Sequence, residues 1–349
     1  QNGGVFNLGG FTQTLGAVTL TAGTITSGTL SGASYAVLSG DISANLAGNG
    51  ALTKTSLGLV TLSGANSYSG GTTVNAGTLA LGVDNTLLSS GTVSVTGGEL
   101  ALGTTSQTVG ALSLTGGVIS GGTLSGTSYT VVNGTISSIL AGSGIVLTKN
   151  DSGTVLLSGV NTYGGGTVVN AGTLLLGGNE RLLSAGSVEL NGGAFNLGGN
   201  LQTSAAVTLN GGAITSGTLS GTLYAVRLGD ISANLAGSGA LTKTSPGLVT
   251  LSGLNSYSGG TVVNDGTLAL GVDNTLLSSG AVTVNGGELA LGTTAQTGYS
   301  GGTTVTAGTL ALGVDNTLLS SGAVTVNGGE LALGTTAQTV GALFLSGGA

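Results

Sequence analysis

The chain has 349 residues, of which 72 are glycine and one is proline; 40% are hydrophobic and only 5% are charged. Low charge with high apolar content excludes a solvated disordered coil, and the lack of a regular glycine at every third position excludes collagen. Cysteine, histidine, methionine and tryptophan are absent, which excludes disulfides, thiol nucleophiles, imidazole bases and His/Cys zinc sites. The net charge of −7 argues against nucleic acid as a partner.

From the first residues onward, Val, Leu, Ile and Ala alternate with Thr and Ser, while the usual helix formers are scarce. This alternation predicts short strands with one apolar face, and the Gly-Gly and Ala-Gly pairs between them predict turns. No run of apolar residues is long enough for a membrane-spanning helix. Because the chain begins with "QNGG" rather than Met, we expect a mature product or a fragment.

Short strands recur at intervals that fit one coil of a solenoid. We predict comparable strand openings at Val74, Val93, Leu112, Val131, Val155 and Val168. Most of these openings follow one another at the same interval in residue number, and the last two intervals are unequal.

A longer repeat contains these coils. The interval from Tyr35 to Tyr129 is 129 − 35 = 94, and the interval from Tyr68 to Tyr163 is 163 − 68 = 95. The interval from Tyr257 to Tyr299 is only 299 − 257 = 42, so the last copy is abridged near 298. We therefore predict a single continuous domain, 1–349, made of about three and a half copies of a unit of 94–95 residues.

The predicted fold is all-β: a right-handed parallel β-helix, or β-solenoid, with about 19 residues per rung. A solenoid tolerates the loss of part of a repeat, because each coil contacts only its neighbours. An array of β-sandwiches is the alternative, but the chain lacks the Pro-marked boundaries and linkers that separate such domains. Ankyrin and leucine-rich repeats fit less well, because no helical segment separates the strands.

The phrase "LTKTSLGLVTLSGANSYSGGTTVNAGTLALG" at 52–82 resembles the passenger-associated transport repeat of bacterial autotransporters, also called the autotransporter-associated β-strand repeat. The marks of this resemblance are the lysine of "LTK", the tyrosine of "NSYSGG" and the following "VNAGTL". They recur in two further copies and begin a partial fourth. The repeat-signature residues, to which we assign a structural role, are Lys54, Tyr68, Lys149, Tyr163, Lys243, Tyr257 and Tyr299.

This resemblance implies a protein at the outer-membrane surface of a Gram-negative bacterium, or secreted from it by type V secretion. It also implies an outer-membrane β-barrel translocator in the full-length chain. A host-cell or glycan surface and end-to-end or lateral self-association are further expected partners.

Enzymatic chemistry is a further alternative. Polysaccharide-degrading β-helices need clustered, unique carboxylates, whereas "VDNTLL" and "GGEL" repeat their acids with the scaffold. The G-G-x-G-x-D pattern of calcium-binding β-rolls is absent, so Asp84 and Asn85 are interpreted as turn residues. Regular Thr-x-Thr pairs, which ice binding requires at every rung, are intermittent.

Two interpretations of the signature residues follow. A ligand-binding row of the three lysines is one interpretation, but they lie about five rungs apart, too far to act on one small ligand. We therefore expect solvated edge charges. Tyr68 and its equivalents are expected to cap a turn against the coil surface. The sequence thus predicts no catalytic residue, cofactor or metal.

The predicted function is that of a non-enzymatic surface stalk or adhesin passenger. The alternative is a self-assembling extracellular filament or sheath subunit, because a nearly uncharged surface with open strand edges favours packing.

Overall fold

The computed structural model of the chain describes residues 2–273, 275–276, 280–296, 301–315 and 322–347. Every regular element in these ranges is a β-strand, and no helix long and apolar enough to cross a membrane occurs among them. The signature residue Tyr299 and the predicted splice near 298 lie outside the described residues.

The chain forms two compact units, residues 1–166 and 167–349. The strands of the first unit are β1 (Asn2–Asn7), β2 (Thr12–Leu20), β3 (Ala22–Thr26), β4 (Thr29–Val37), β5 (Gly40–Ile42), β6 (Asn45–Ala47), β7 (Ala51–Lys54), β8 (Leu59–Leu62), β9 (Thr72–Val74), β10 (Thr78–Leu81), β11 (Val93–Val95), β12 (Glu99–Thr108), β13 (Ala111–Leu114), β14 (Val118–Ser125), β15 (Ser128–Val131), β16 (Gly134–Ile136), β17 (Ile139–Ala141), β18 (Leu147–Lys149) and β19 (Thr154–Leu157).

The second unit repeats the same short strands. They are β20 (Thr167–Val169), β21 (Thr173–Leu176), β22 (Val188–Leu190), β23 (Ala194–Leu209), β24 (Ala213–Val226), β25 (Gly229–Ile231), β26 (Asn234–Ala236), β27 (Ala240–Leu251), β28 (Thr261–Leu270), β29 (Val282–Val284), β30 (Glu288–Ala290), β31 (Thr303–Val305), β32 (Thr309–Ala311), β33 (Ala323–Val326), β34 (Glu330–Ala332) and β35 (Ala342–Leu345).

Each rung runs through three faces. Face A contains the strands equivalent to β7, face B those equivalent to β8, and face C those equivalent to β6. Parallel pairing between successive rungs occurs on all three faces, since β4 pairs with β7 on face A and with β6 on face C, and β8 pairs with β10 on face B. In the second unit, β24 pairs likewise with β27 and β26. The predicted parallel β-solenoid is therefore confirmed.

The core lies inside the coil, where alternate residues of each strand stack on their equivalents in the next rung. In β8, for example, Val60 and Leu62 are fully buried, whereas Thr61 between them is half-buried and faces outward. The same alternation recurs in β10 and β19. Burying these apolar rows provides the main stabilisation, since each buried Val or Leu contributes about 1.5–3 kcal/mol.

Glycine is required where a corner meets the preceding rung. Gly98 has φ +64°, and a Cβ built on it would lie 2.5 Å from the carbonyl oxygen of Gly77. A side chain at this position would therefore meet both an unfavourable backbone conformation and a backbone collision.

Rungs are close to the predicted length, but they are not uniform. On face A of the first unit, the paired positions are Leu20, Val37, Lys54, Val74, Val95, Leu114, Val131 and Lys149. Successive differences between these residue numbers are 17, 17, 20, 21, 19, 17 and 18.

The second unit follows a related series. Its paired positions on face A are Val169, Leu190, Leu209, Val226, Lys243, Val263, Val284, Val305, Val326 and Leu345. Their successive differences are 21, 19, 17, 17, 20, 21, 21, 21 and 19. Five consecutive rungs, with differences of 17, 17, 20, 21 and 19, thus make up one copy of the long repeat.

Of the predicted strand openings, Val93 and Leu112 are paired as expected, whereas others are wrong in register. Val74 pairs with Val95 rather than Val93, and Val155 pairs with Gly134 on face B. The reason is that strict alternation looks the same after a shift by two positions, so the pattern fixes which residues face inward but not which ones are partners.

Candidate functional site

The signature lysines are buried, and their interpretation as solvated edge charges is wrong. Lys54, Lys149 and Lys243 have an exposed fraction of 0%, and each occupies an inward position of face A. Lys54 pairs with Val37 in the rung before it and with Val74 in the rung after it. Its aliphatic stem therefore extends the apolar row, which an amphipathic side chain can do while its charged end lies elsewhere.

The ammonium group reaches the corner between faces A and B, where backbone carbonyls accept its hydrogens. Lys54 Nζ donates to the carbonyl oxygen of Ser56 and, over 3.2 Å, to that of Ala76 in the next rung. Lys243 Nζ makes the equivalent bonds, to Ser245 and, over 3.1 Å, to Asp265.

Lys149 is held by its own corner, where Nζ lies 2.8 Å from the carbonyl oxygen of Asn150 and 2.7 Å from that of Asp151. Burial lowers the pKa of all three lysines, and the nearby carboxylates of Asp151 and Asp265 partly oppose this for Lys149 and Lys243. These ammonium groups thus fasten a corner of the coil and offer no charge to an external ligand.

Each complete copy of the long repeat carries two tyrosines, and the first and second tyrosine of a copy meet inside the coil. The ring centroids of Tyr35 and Tyr68 are 5.8 Å apart, and those of Tyr129 and Tyr163 are 6.0 Å apart. In the second unit Tyr224 lies 6.0 Å from Tyr257. The rings are tilted or edge-on, which is the favoured geometry of an aromatic pair.

The hydroxyl of the first tyrosine in each pair fastens a corner. Gly32 N donates over 2.6 Å to the Tyr35 hydroxyl, which donates over 2.7 Å to Leu30 O and also contacts Ala47 O in the next rung. A Cβ on Gly32 would lie 2.8 Å from the Tyr35 ring. The segments "SGASY", "SGTSY" and "SGTLY" therefore form a motif, glycine three residues before tyrosine, that sequence reasoning missed.

The second tyrosine is internal, so its interpretation as a surface cap is wrong. Tyr68 is 1% exposed, and its hydroxyl lies 2.7 Å from Thr72 Oγ1. Tyr257 makes the same contact, over 2.7 Å, with Thr261. Burial raises the pKa of Tyr68 to about 12, and it raises the pKa of Tyr224 to about 12 as well. The small Thr provides the hydroxyl partner that a buried phenol requires.

A buried asparagine two residues before the second tyrosine replaces strand pairing on face C. The Asn66 side chain accepts from Leu46 N over 2.8 Å and donates from Nδ2 to Thr86 O over 2.9 Å, and so joins the rungs on either side. Asn255 makes equivalent bonds to Leu235 and Thr275. Sequence reasoning missed this role, although the recurring "NSY" and "NTY" could have indicated it.

The acidic residues of "VDNTLL" serve the scaffold. Asp84 Oδ1 accepts from Ser106 N in the next rung over 2.8 Å, and Asp273 and Asp315 accept equivalently from Ala295 and Ala337. Asn85 has φ +51°, consistent with the turn predicted there. No group of three or more acidic side chains that could hold a metal ion occurs in the described ranges.

Comparison with known sequences identifies the recurring segments. The family called passenger-associated-transport-repeat matches residues 52–81, 147–176, 241–270, 266–291 and 292–312. The chain carries passenger-associated transport repeats. The first three matched segments each begin on face A and each contain one of the three buried lysines. Each of these transport repeats therefore supplies one corner that is held by a lysine ammonium group.

A curated relative extends the similarity beyond the transport repeats. The chain is 34% identical over 256 residues to the Adhesin BmaC autotransporter of Brucella suis biovar 1 (strain 1330), an alignment that covers 61% of this chain and 7% of that protein. The chain therefore spans a small part of the length of this relative. No solved structure matches the chain.

These two matches confirm the predicted resemblance to autotransporter passengers with transport repeats. The corresponding location is outside the cell or at the outer-membrane surface of a Gram-negative bacterium, as the resemblance implied. A surface passenger is thus supported, whereas neither match specifically favours a filament or sheath subunit.

Proposed function

We propose that this chain is a non-enzymatic, adhesive shaft segment of a surface passenger. The carrying observation is that buried polar residues of the transport repeats face inward and bond to backbone groups of neighbouring rungs. The Lys54 ammonium and the Asn66 amide both bond to backbone groups of neighbouring rungs. A segment of this kind holds its outer surface in a fixed, repeated arrangement, which suits presentation of a surface to another cell.

The adhesin relative supports the adhesive part of the proposal. The proposed partners are a host-cell or glycan surface and, in a longer protein, an outer-membrane translocator. A non-enzymatic role is supported by the acids of the transport repeats, since Asp84, Asp273 and Asp315 each bond to a backbone amide of the next rung. A carboxylate committed to the scaffold at every copy is a poor general base.

Adhesion of particles coated with the purified chain tests this proposal. We expect fluorescent beads carrying the 349-residue chain to bind cultured epithelial cells more than albumin-coated beads do, and soluble chain to compete. Equal binding of the two kinds of bead would overturn the adhesive role.

A further inference from the structure

Four polar side chains of the second unit depart together from the preceding copy of the repeat. They lie where face A meets the corner, at Glu189, Asn191, Asn210 and Arg227. The residues 95 positions earlier are small or apolar and neutral: Ser94, Thr96, Thr115 and Val132. Asparagine recurs at the position of Asn191, as Asn2, Asn285 and Asn327, so this residue belongs to the scaffold. The concerted departure of Glu189, Asn210 and Arg227 beside it indicates a local role.

Consecutive rungs stack these four residues on one another. Asn210 N donates to Leu190 O over 2.8 Å, and Arg227 N donates to Leu209 O over 2.8 Å. Leu190, Leu209 and Val226 are stacked partners in three consecutive rungs. Asn191, Asn210 and Arg227 each come directly after one of them, so they also stack in three consecutive rungs. Adjacent rungs lie about 4.8 Å apart, so the four side chains share one small area of surface.

Direct hydrogen bonds join the four side chains into one cluster. Asn210 Nδ2 lies 3.0 Å from Glu189 Oε1 and 2.8 Å from Asn191 Oδ1. Arg227 Nη1 donates to Asn210 Oδ1 over 2.5 Å. The Asn210 amide thus stands between a carboxylate and a guanidinium, and all three groups are fixed relative to one another.

The charge distribution sets this cluster apart from the remaining surface. The chain has only five basic residues, and three of them are the buried lysines. Arg227 is exposed, whereas the other arginine, Arg181, is half-buried. An exposed guanidinium with an acidic residue linked to it through an amide offers strong donors and strong acceptors side by side.

We infer that Glu189, Asn191, Asn210 and Arg227 form a binding site for the neighbouring hydroxyls of a neutral glycan. A sugar hydroxyl both donates and accepts, so the Glu189 carboxylate can accept from one hydroxyl while Arg227 or an asparagine amide donates to the next. This inference rests on the proposed adhesive function and names the partner class for one part of the shaft.

The same chemistry disfavours the other partner classes. An anionic ligand would meet the Glu189 carboxylate and a protein of net charge −7. An apolar peptide would find only polar groups in the cluster. Because the site is open and lacks an aromatic platform, a single site is expected to bind weakly, with Kd near the millimolar range, and repeated sugars on a polymer would raise the avidity.

Binding of immobilised neutral oligosaccharides tests the inference. We would measure the full chain against gluco-, manno- and galacto-oligosaccharides, with polygalacturonate as an acidic comparison. The double variant Glu189→Ser and Arg227→Val installs the residues of the preceding copy, so the fold has already accepted both. We expect the variant to lose at least tenfold in affinity for the neutral ligand that the wild type binds.

A transplanted site supplies the complementary test. The variant S94E/T96N/T115N/V132R builds the cluster in the preceding copy, and we expect twice as many sugar molecules bound per chain. Failure of the wild type to bind any neutral oligosaccharide, preference for polygalacturonate, or binding unchanged in the double variant would each overturn the inference. Beads that still adhere to cells in those cases would leave the adhesive function standing on another surface.

Discussion

The ammonium nitrogen of Lys54 lies 3.2 Å from the carbonyl oxygen of Ala76, in the next rung of the coil. The buried ammonium group thereby donates hydrogen bonds to two consecutive corners. Removing it leaves buried carbonyl oxygens without donors, which costs about 1–3 kcal/mol for such a group.

Replacement of this lysine tests its fastening role. We expect Lys54→Met to lower the free energy of unfolding by about 1–3 kcal/mol in urea titrations, because methionine fills the apolar row but donates no hydrogen bond. The control is Thr53→Ala, at a half-buried outward position, which should stay within about 0.5 kcal/mol of the wild type. An unchanged midpoint for the lysine variant would show that the corner needs no cation.

The tyrosines predict instability at alkaline pH. The folded-state pKa of Tyr68 is about 12, above the ordinary value of 10.0, so between these values the folded chain holds a proton that the unfolded chain has lost. The stabilisation contributed by Tyr68 is therefore fully present below pH 10 and is lost as the pH rises toward 12. The loss is up to about 1.4 kcal/mol per pH unit for each such tyrosine. Tyr68→Phe should make this fall shallower when the free energy of unfolding is measured by urea titration at a series of pH values. An equal slope against pH in the variant and the wild type would refute the assignment.

The lysines act in the opposite direction, in a pH window that ends at their ordinary pKa of 10.5. Burial lowers the folded-state pKa of Lys54 from 10.5, so the unfolded chain binds more protons between the two values. Stability should rise with pH through that window as the cost of the buried charge is relieved. Lys54→Met should reduce this rise, and a rise of the same size in the variant would argue against a charged, buried lysine.

Ser138 is predicted to be a destabilising residue. Its hydroxyl is buried, with an exposed fraction of 1%, and makes no hydrogen bond within the described part of the chain. The equivalent residues, Ala44 and Ala233, are alanines with exposed fractions of 1% and 0%. We expect Ser138→Ala to raise the free energy of unfolding by about 1 kcal/mol.

The reciprocal variants Ala44→Ser and Ala233→Ser provide matched controls and should each lose stability. If serine and alanine prove interchangeable at all three positions in thermal unfolding, the hydroxyl has a partner and the explanation fails.

Whole rungs are predicted to be removable. Val284 pairs with Val305, so deletion of 285–305 removes one complete rung and leaves every inward residue facing inward. We expect this variant to unfold cooperatively with little loss of stability. Deletion of 285–304 stops one position short and turns the following inward residues outward. Circular dichroism and limited proteolysis should show a damaged C-terminal region for the second deletion and not for the first.

The sequence allowed the parallel coil and the long repeat to be predicted, because both follow from alternation and self-similarity. Pairing register could not be predicted, since Val93 and Val95 are equivalent in an alternating pattern and only the length of the intervening corner decides that Val74 pairs with Val95.

The direction of the signature side chains was likewise hidden in the sequence. Lys54 and Asn66 are polar residues that usually face water, and they are buried here because backbone groups of other rungs satisfy them. Those partners lie a full rung away along the chain, at distances that depend on the register itself. The glycine at position 32 was informative, but its meaning depends on the Tyr35 ring that lies over it.

The three consecutive rungs of equal length that end at Val326 have an evolutionary consequence. Recombination between two copies of such a gene preserves which residues face the core and which face solvent, wherever the crossover joins equivalent positions of two rungs. Chain length can then drift between lineages in steps of a rung, without passing through a misfolded intermediate. Selection can act on the number of rungs separately from selection on the outward residues, so reach and recognition can evolve independently.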